Sequence, residues 1–130
     1  MKVSVTVAQN IVESMKTIIK QDINFIDTDV TIIASTDPQR VGTYHEGALT
    51  VVKTNQMLIV SPEDTYEGTR PGINVPVRVN GETIAVIGIT GDPQQVMTYG
   101  NILRKMTEIL VLEDEVRTLQ QRDAERSRML

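Results

Sequence analysis

Residues 37–46, Asp37-Pro38-Gln39-Arg40-Val41-Gly42-Thr43-Tyr44-His45-Glu46, hold most of the chemistry this chain can offer. An arginine fork such as Arg40 can grip a carboxylate or phosphate with two parallel hydrogen bonds. His45 can donate or accept at either ring nitrogen. A helix starting at this point would add unpaired N–H groups and a partial positive charge, the makings of an anion site. Each residue also has a plainer reading. Arg40 suits a neighbouring helix C-terminus, a lone histidine is commonly structural or exposed, and Glu46 stands three residues after Thr43, as in a capping box. Asn74 lies in an apolar alternating stretch, where a buried amide needs partners of some kind. Gly42, Gly72, Gly88 and Gly91 fit turns or close packing. Gly88-Ile89-Thr90-Gly91 lacks the Lys-Ser/Thr ending of a phosphate loop.

An enzyme could be assembled from Glu46, Asp37 and His45 as a general acid–base set. No nucleophile elbow, metal cluster or cofactor fingerprint accompanies them, so no catalytic residue, metal or cofactor is expected. Composition narrows the field further. The chain has 130 residues, no cysteine and one histidine. Thiolate chemistry, disulfide scaffolds and paired-imidazole metal sites are thereby excluded. Four aromatics (Phe25, Tyr44, Tyr66, Tyr99) and 17 acids against 13 bases argue against a nucleic-acid face. The opening Met1–Val7 alternates apolar and polar residues without the apolar core of a signal peptide. No apolar run approaches the ~18 residues that span a bilayer. A cytoplasmic protein without membrane contact is the expectation.

The elements that must position these residues follow from periodicity. Ile11, Val12, Met15, Ile18 and Ile19 form one helical stripe, so a helix is predicted over 7–20 with Thr6 as its N-cap. Strands are predicted over 22–27 and 30–35, joined by Asp27-Thr28-Asp29. Asp37-Pro38 predicts a single helical turn, and Thr43 with Glu46 predicts a helix to about Lys53, which places His45 at its second residue. Met57–Val60 reads as a short strand, and Ser61-Pro62-Glu63-Asp64 as the cap of a brief helical turn. Alternation over 73–79 and 83–90 around Asn80-Gly81 predicts a hairpin with a type I′ turn, with Pro76 at an edge, a bulge or an unpaired position. Asp92-Pro93 opens the last helix, with Val96, Leu103, Met106 and Leu110 on its buried face. Residues 113–128 carry five acids and four arginines and read as a solvated helix. A heptad at 102, 106, 109, 113, 116, 120 and 123 meets Glu113, Gln120 and Asp123 and predicts only a weak coiled coil. This order predicts an α+β domain: a PAS/Cache-like five-stranded antiparallel sheet with flanking helices and a long C-terminal helix.

Three segments carry a resemblance. Residues 37–48, Arg70-Pro71-Gly72-Ile73-Asn74-Val75-Pro76 and Val86-Ile87-Gly88-Ile89-Thr90-Gly91-Asp92-Pro93 resemble, in order and spacing, the motifs of the sugar diacid recognition domain. That domain is the N-terminal sensor of bacterial carbohydrate diacid regulators, and Ala8-Gln9-Asn10-Ile11-Val12 is similar to its first helix. The resemblance covers about residues 5–112. Gln39, Val41 and Val75 depart mildly from the family pattern. The resemblance implies a sensor of glucarate, galactarate, glycerate or related acids over residues 1–112. It also implies a linker or signalling helix over 113–130 that ends before a DNA-binding helix-turn-helix. By the same resemblance the ligand residues are Arg40, His45 and Asn74, with the backbone near Gly42, Pro76 and Gly91. A homodimer is the expected assembly, with DNA contacted only by the further module. A ligand-independent dimerisation module is the rival reading.

Overall fold

A computed structural model describes residues 1–129. In chain order it contains helix α1 (Val5–Met15), strands β1 (Ile23–Ile26) and β2 (Ile32–Ser35), a 3-10 turn (Pro38–Arg40), helix α2 (Glu46–Thr54), strands β3 (Leu58–Val60), β4 (Gly72–Val79) and β5 (Glu82–Thr90), and helix α3 (Pro93–Met129). The five strands form one antiparallel sheet in the order β2-β1-β5-β4-β3. The α+β expectation therefore holds, with three helices on the sheet.

Strand alternation divides the side chains between two faces. Ile23, Phe25, Ile73, Val75, Val77, Ile87 and Ile89 point to one face and form a core with Ala8, Ile11 and Val12 of α1 and Val96, Leu103 and Val111 of α3. Ile26, Ile32 and Val86 point to the other face and pack against Ala48 and Val51 of α2. This second core is much smaller, and the polar residues of interest lie beside it.

The turn at Asn80-Gly81 has φ of 54° and 77°, as a type I′ turn needs. Pro76 pairs with Val86 of β5, while β3 pairs only as far as Asn74. The proline thus falls where β4 is locally an edge. Asp92 caps α3 through its side chain, which accepts from the N–H of Gln94 at 3.0 Å. On α3, buried Glu108 accepts from the backbone N–H of Arg78 at 2.9 Å, beside the β-bulge in β4, and also pairs with Arg104. The helix is thereby tied to the sheet by a polar link as well as by its apolar face.

Three local expectations are corrected. Ser4, not Thr6, caps the first helix, accepting from the N–H of Val7, and the helix ends at Met15. Ile19 still reaches the core, whereas Ile18 is exposed. The Ser61–Asp64 segment closes as a turn through two mutual hydrogen bonds and continues into no helix. The exposed apolar residues of α3 include Ile102, Ile109, Leu112, Val116 and Leu119, with Tyr99 near its start and Met129 at its end. Ile102, Ile109 and Val116 keep one line of the predicted heptad, and Leu112 and Leu119 stand one residue before Glu113 and Gln120 of the other.

Candidate functional site

A row of directly opposed residues crosses the sheet on the α2 face. Ser35 faces Asn24, Asn24 faces Gly88, Gly88 faces Asn74, and Asn74 faces Leu58. Ser35, Asn24 and Asn74 are buried. The Ser35 hydroxyl donates to Asn24 Oδ1 at 2.6 Å and accepts from the N–H of Asp37 at 3.0 Å. Gly88 leaves a hollow at the centre of this row. A Cβ there would meet Asn74 Oδ1 at 2.8 Å and His45 Nε2 at 3.7 Å.

His45 closes the hollow from above. It is the N-cap of α2, and its Nδ1 accepts from the N–H of Ala48 at 3.1 Å. That bond fixes the tautomer. With Nδ1 accepting, the proton of the neutral ring sits on Nε2, which is turned toward Gly88. Burial, and next the positive charge of Arg40, push the His45 pKa down to about 4, so the ring is neutral near pH 7. The His45 N–H donates to the carbonyl of Val30. Val30 has φ of 68°, left-handed backbone that is strained for a β-branched residue.

The capping box read from Thr43 and Glu46 does not form. The Thr43 hydroxyl donates to the Arg40 carbonyl, and Glu46 is the first residue of α2. Glu46 instead exchanges backbone and side-chain hydrogen bonds with Glu67. The expected anion site on free helix N–H groups is likewise overturned. The N–H groups of Glu46, Gly47 and Ala48 go to the Glu67 carbonyl, the Thr69 hydroxyl and His45 Nδ1. The segment around Gly68 is thus stitched to the start of α2. It packs so closely that a Cβ on Gly68 would stand 1.9 Å from the Tyr44 carbonyl oxygen.

The cations come from two loops. Arg40 ends the 3-10 turn, which Asp37 caps by accepting from the N–H of Gln39. Its guanidinium donates to the Gly68 carbonyl and forms no ion pair among the described residues. Partial burial, then Arg70, hold its pKa below the ordinary value without discharging it. Arg70 is paired, with Nη1 at 3.0 Å from Asp22 and Nη2 at 3.6 Å from Asp37. Asn24, Arg40, His45, Arg70, Ile73, Asn74, Gly88, Ile89 and Thr90 together line a pocket. Its free volume is about 10 Å³, roughly the space of a single water.

Three sequence-predicted residues therefore converge: Arg40, His45 and Asn74. Gly42, Pro76 and Gly91 do not line this pocket. Gly42 donates to the Ile32 carbonyl in the loop below Arg40. Gly91 lines a separate groove with Pro71, Asp92 and Pro93 that shares only Thr90. Asn24 is missed because it joins through strand register, while Gly88 and Thr90 stand in a segment that carries the resemblance and had no site role assigned. Among the described residues, no group of three or more His, Cys, Asp or Glu side chains is placed to hold a metal, and no helix is long and apolar enough to cross a membrane.

Fold and pocket define a single-sheet α+β domain with a histidine-capped, arginine-flanked pocket beneath one helix. The chain belongs to the sugar diacid recognition family: the family model described as "Putative sugar diacid recognition" matches residues 3–130. It is 38% identical over 108 residues to an uncharacterized protein of Bacillus subtilis, YsfB, covering 82% of this chain and 29% of that protein. It is 36% identical over 121 residues to the carbohydrate diacid regulator of Escherichia coli, covering 90% of this chain and 31% of the regulator. The chain thus spans less than a third of the length of these curated relatives. Among solved structures, a type II free methionine-R-sulfoxide reductase from Thermoplasma acidophilum is similar, with a TM-score of 0.59, 18% identity, and coverage of 81% of this chain and 89% of that one. This second likeness concerns the fold alone.

Proposed function

We propose that this chain is the ligand-sensing domain of a bacterial transcriptional regulator and that it binds sugar acids such as glucarate, galactarate or glycerate in the Arg40–His45–Asn74 pocket. The observation that carries this reading is Arg40. It is a half-buried guanidinium without a carboxylate partner, beside a hollow lined by two amides and a fixed imidazole N–H. A carboxylate on Arg40 would supply the missing counter-charge, and ligand hydroxyls would suit Asn24, Asn74, Thr90 and His45 Nε2. Membership of the family and the likeness to the Escherichia coli regulator support the same reading.

The pocket works by binding and not by turnover. His45 Nδ1 is occupied by the helix cap, and Glu46 lies outside the pocket lining. A pocket the size of one water must open to admit a sugar acid, and a carboxylate on Arg40 would compete with the Arg40–Gly68 hydrogen bond. Opening moves the segment that is stitched to α2, and β5 leads directly from the pocket into α3. A ligand shifts such an equilibrium only by its differential affinity for the two states. In this account α3 passes the shift to a DNA-binding region in the part of the regulator beyond this chain, inside the cell.

Calorimetric titration with glucarate, galactarate and glycerate tests the proposal. Saturable heat with at least one supports it, and no heat with any of them overturns it. A second reading, a dimerisation module indifferent to ligand, is favoured by the exposed stripe Ile102, Ile109, Leu112, Val116 and Leu119. Light scattering that finds a dimer, together with calorimetry that finds no ligand, would select it.

A further inference from the structure

Asp37, Ser35 and Asn24 fix the polarity of one wall of the pocket. The backbone N–H of Asp37 can only donate, and the Ser35 hydroxyl receives it at 3.0 Å. Ser35 accepts there, so its own hydrogen is left for Asn24, whose amide stands 2.6 Å away. The atom of that amide facing Ser35 is therefore the acceptor Oδ1, and the NH2 group is turned the other way. Asn24 and Ser35 are 2% and 1% exposed, so bulk water does not replace this bond. Asn24 Nδ2 has no hydrogen-bond partner among the described residues, yet no fully enclosed side-chain nitrogen or oxygen there lacks one. The Nδ2 atom is thus open to the pocket that Asn24 lines. Asn74 differs: no partner holds its amide one way round, and its Oδ1 stands over Gly88.

We propose that Asn24 is a ligand-binding residue that donates through Nδ2 to a hydroxyl oxygen of the bound acid, and that Ser35 is the positioning residue that holds its amide in that sense. The proposal rests on the sugar-acid reading above and deepens it. The His45 Nε2 proton, placed by the cap of α2, is a second donor of fixed sense. A hydroxyl oxygen has lone pairs for both donors, and its own hydrogen can go to Asn74 Oδ1. These three groups satisfy an alcohol while Arg40 takes the carboxylate. The Asp37–Ser35–Asn24 chain also ties the donor to the loop that carries Arg40.

The test is calorimetric titration of glucarate, galactarate and glycerate into the wild-type chain, Ser35→Ala, Asn24→Leu and the double variant. Ser35 does not line the pocket, so its truncation removes no ligand contact. Ser35→Ala should nevertheless weaken the acids that bind the wild type by roughly threefold to tenfold, because the amide is then free to turn its oxygen to the ligand. Asn24→Leu should weaken them by roughly tenfold or more. On the Asn24→Leu background, Ser35→Ala should make no further difference, since its effect passes through the amide. If a variant does not fold, the wild-type nitrogen–proton spectrum decides: one Asn24 Nδ2 proton should move downfield and saturate with the bound acid. An Asn24 amide that stays still while the Gly88 backbone signal moves overturns the proposal. So does a Ser35→Ala chain that binds as the wild type does, or that loses as much affinity without Asn24 as with it. Absence of binding by the wild type overturns the proposal together with the sensing reading, whereas the other contrary results overturn this inference alone.

Discussion

His45 Nδ1 accepts the backbone N–H of Ala48 at 3.1 Å, and that bond joins the start of α2 to the chemistry of the pocket. It satisfies a helix donor, fixes the ring tautomer and aims an N–H at the hollow over Gly88. The ring is held neutral, with its pKa pushed down to about 4 from 6.5 by burial first and Arg40 second. The unfolded chain therefore binds a proton at His45 before the folded one does. The stability this provides is complete above pH 6.5 and is lost as pH falls from 6.5 toward 4. The full loss is about 3 kcal/mol, since each pKa unit is worth about 1.4 kcal/mol. The chain has one histidine, so a proton NMR titration reads it without assignment. A midpoint well below 6 is expected, and a midpoint at or above 6.5 would contradict the burial argument.

Substituting Gly88 should close the pocket from its floor. The added methyl of Gly88→Ala would stand 2.8 Å from Asn74 Oδ1 and displace that amide. Overpacking of this kind costs about 1–3 kcal/mol, which a denaturant melt will show as a lowered midpoint with the transition still cooperative. Sugar-acid binding should disappear in a chain that remains folded.

Arg40→Ala should do the reverse, leaving the fold nearly intact while weakening binding. The guanidinium makes one hydrogen bond within the protein, to the Gly68 carbonyl, and no ion pair among the described residues. Losing a charged hydrogen-bond partner for a ligand carboxylate is worth about 1.5–3 kcal/mol, or roughly tenfold to a hundredfold in affinity. A loss of folding free energy larger than the loss of binding free energy would make Arg40 a structural residue instead.

These residues show how much of the site is legible along the chain. Arg40, His45 and Asn74 are picked out as ligand residues by the family resemblance, since by type alone each also has a plain structural reading, whereas the Asn80-Gly81 turn and Asp92-Pro93 cap are fixed by local stereochemistry. The row Asn24–Gly88–Asn74 is not local. It exists because β5 lies between β1 and β4, and pairing order depends on the whole sheet. The cap of α2 was obscured for another reason. Thr43 and Glu46 have the spacing of a capping box, but histidine, a less favoured cap type, takes the position because its ring also fills the space above Gly88. The exposed stripe of α3 includes Leu112 and Leu119 in place of Glu113 and Gln120, because periodicity alone cannot say which apolar residues the sheet has already claimed.

The α3 stripe makes its own prediction. Ile109, Leu112 and Val116 are exposed on the side of α3 away from the sheet, while Val111 is the last residue of the helix in the core. Light scattering should find the wild-type chain as a dimer, and replacing Leu112 and Val116 together by Lys should leave a monomer with the sheet domain folded; a monomeric wild type would contradict pairing through this stripe. A dimer that survives this change must use another face.

The central claim is that a sugar acid occupies the space between Arg40, His45 and Asn74. The most direct measurement is a nitrogen–proton NMR titration of the chain with glucarate, galactarate and glycerate. The predicted result is saturable shifts concentrated on the side-chain amides of Asn24 and Asn74, the His45 Nε2 proton and the backbone of Gly88 and Gly68. Shifts confined to the groove at Pro71, Gly91 and Pro93, or no saturable shift with any of the three acids, would contradict it.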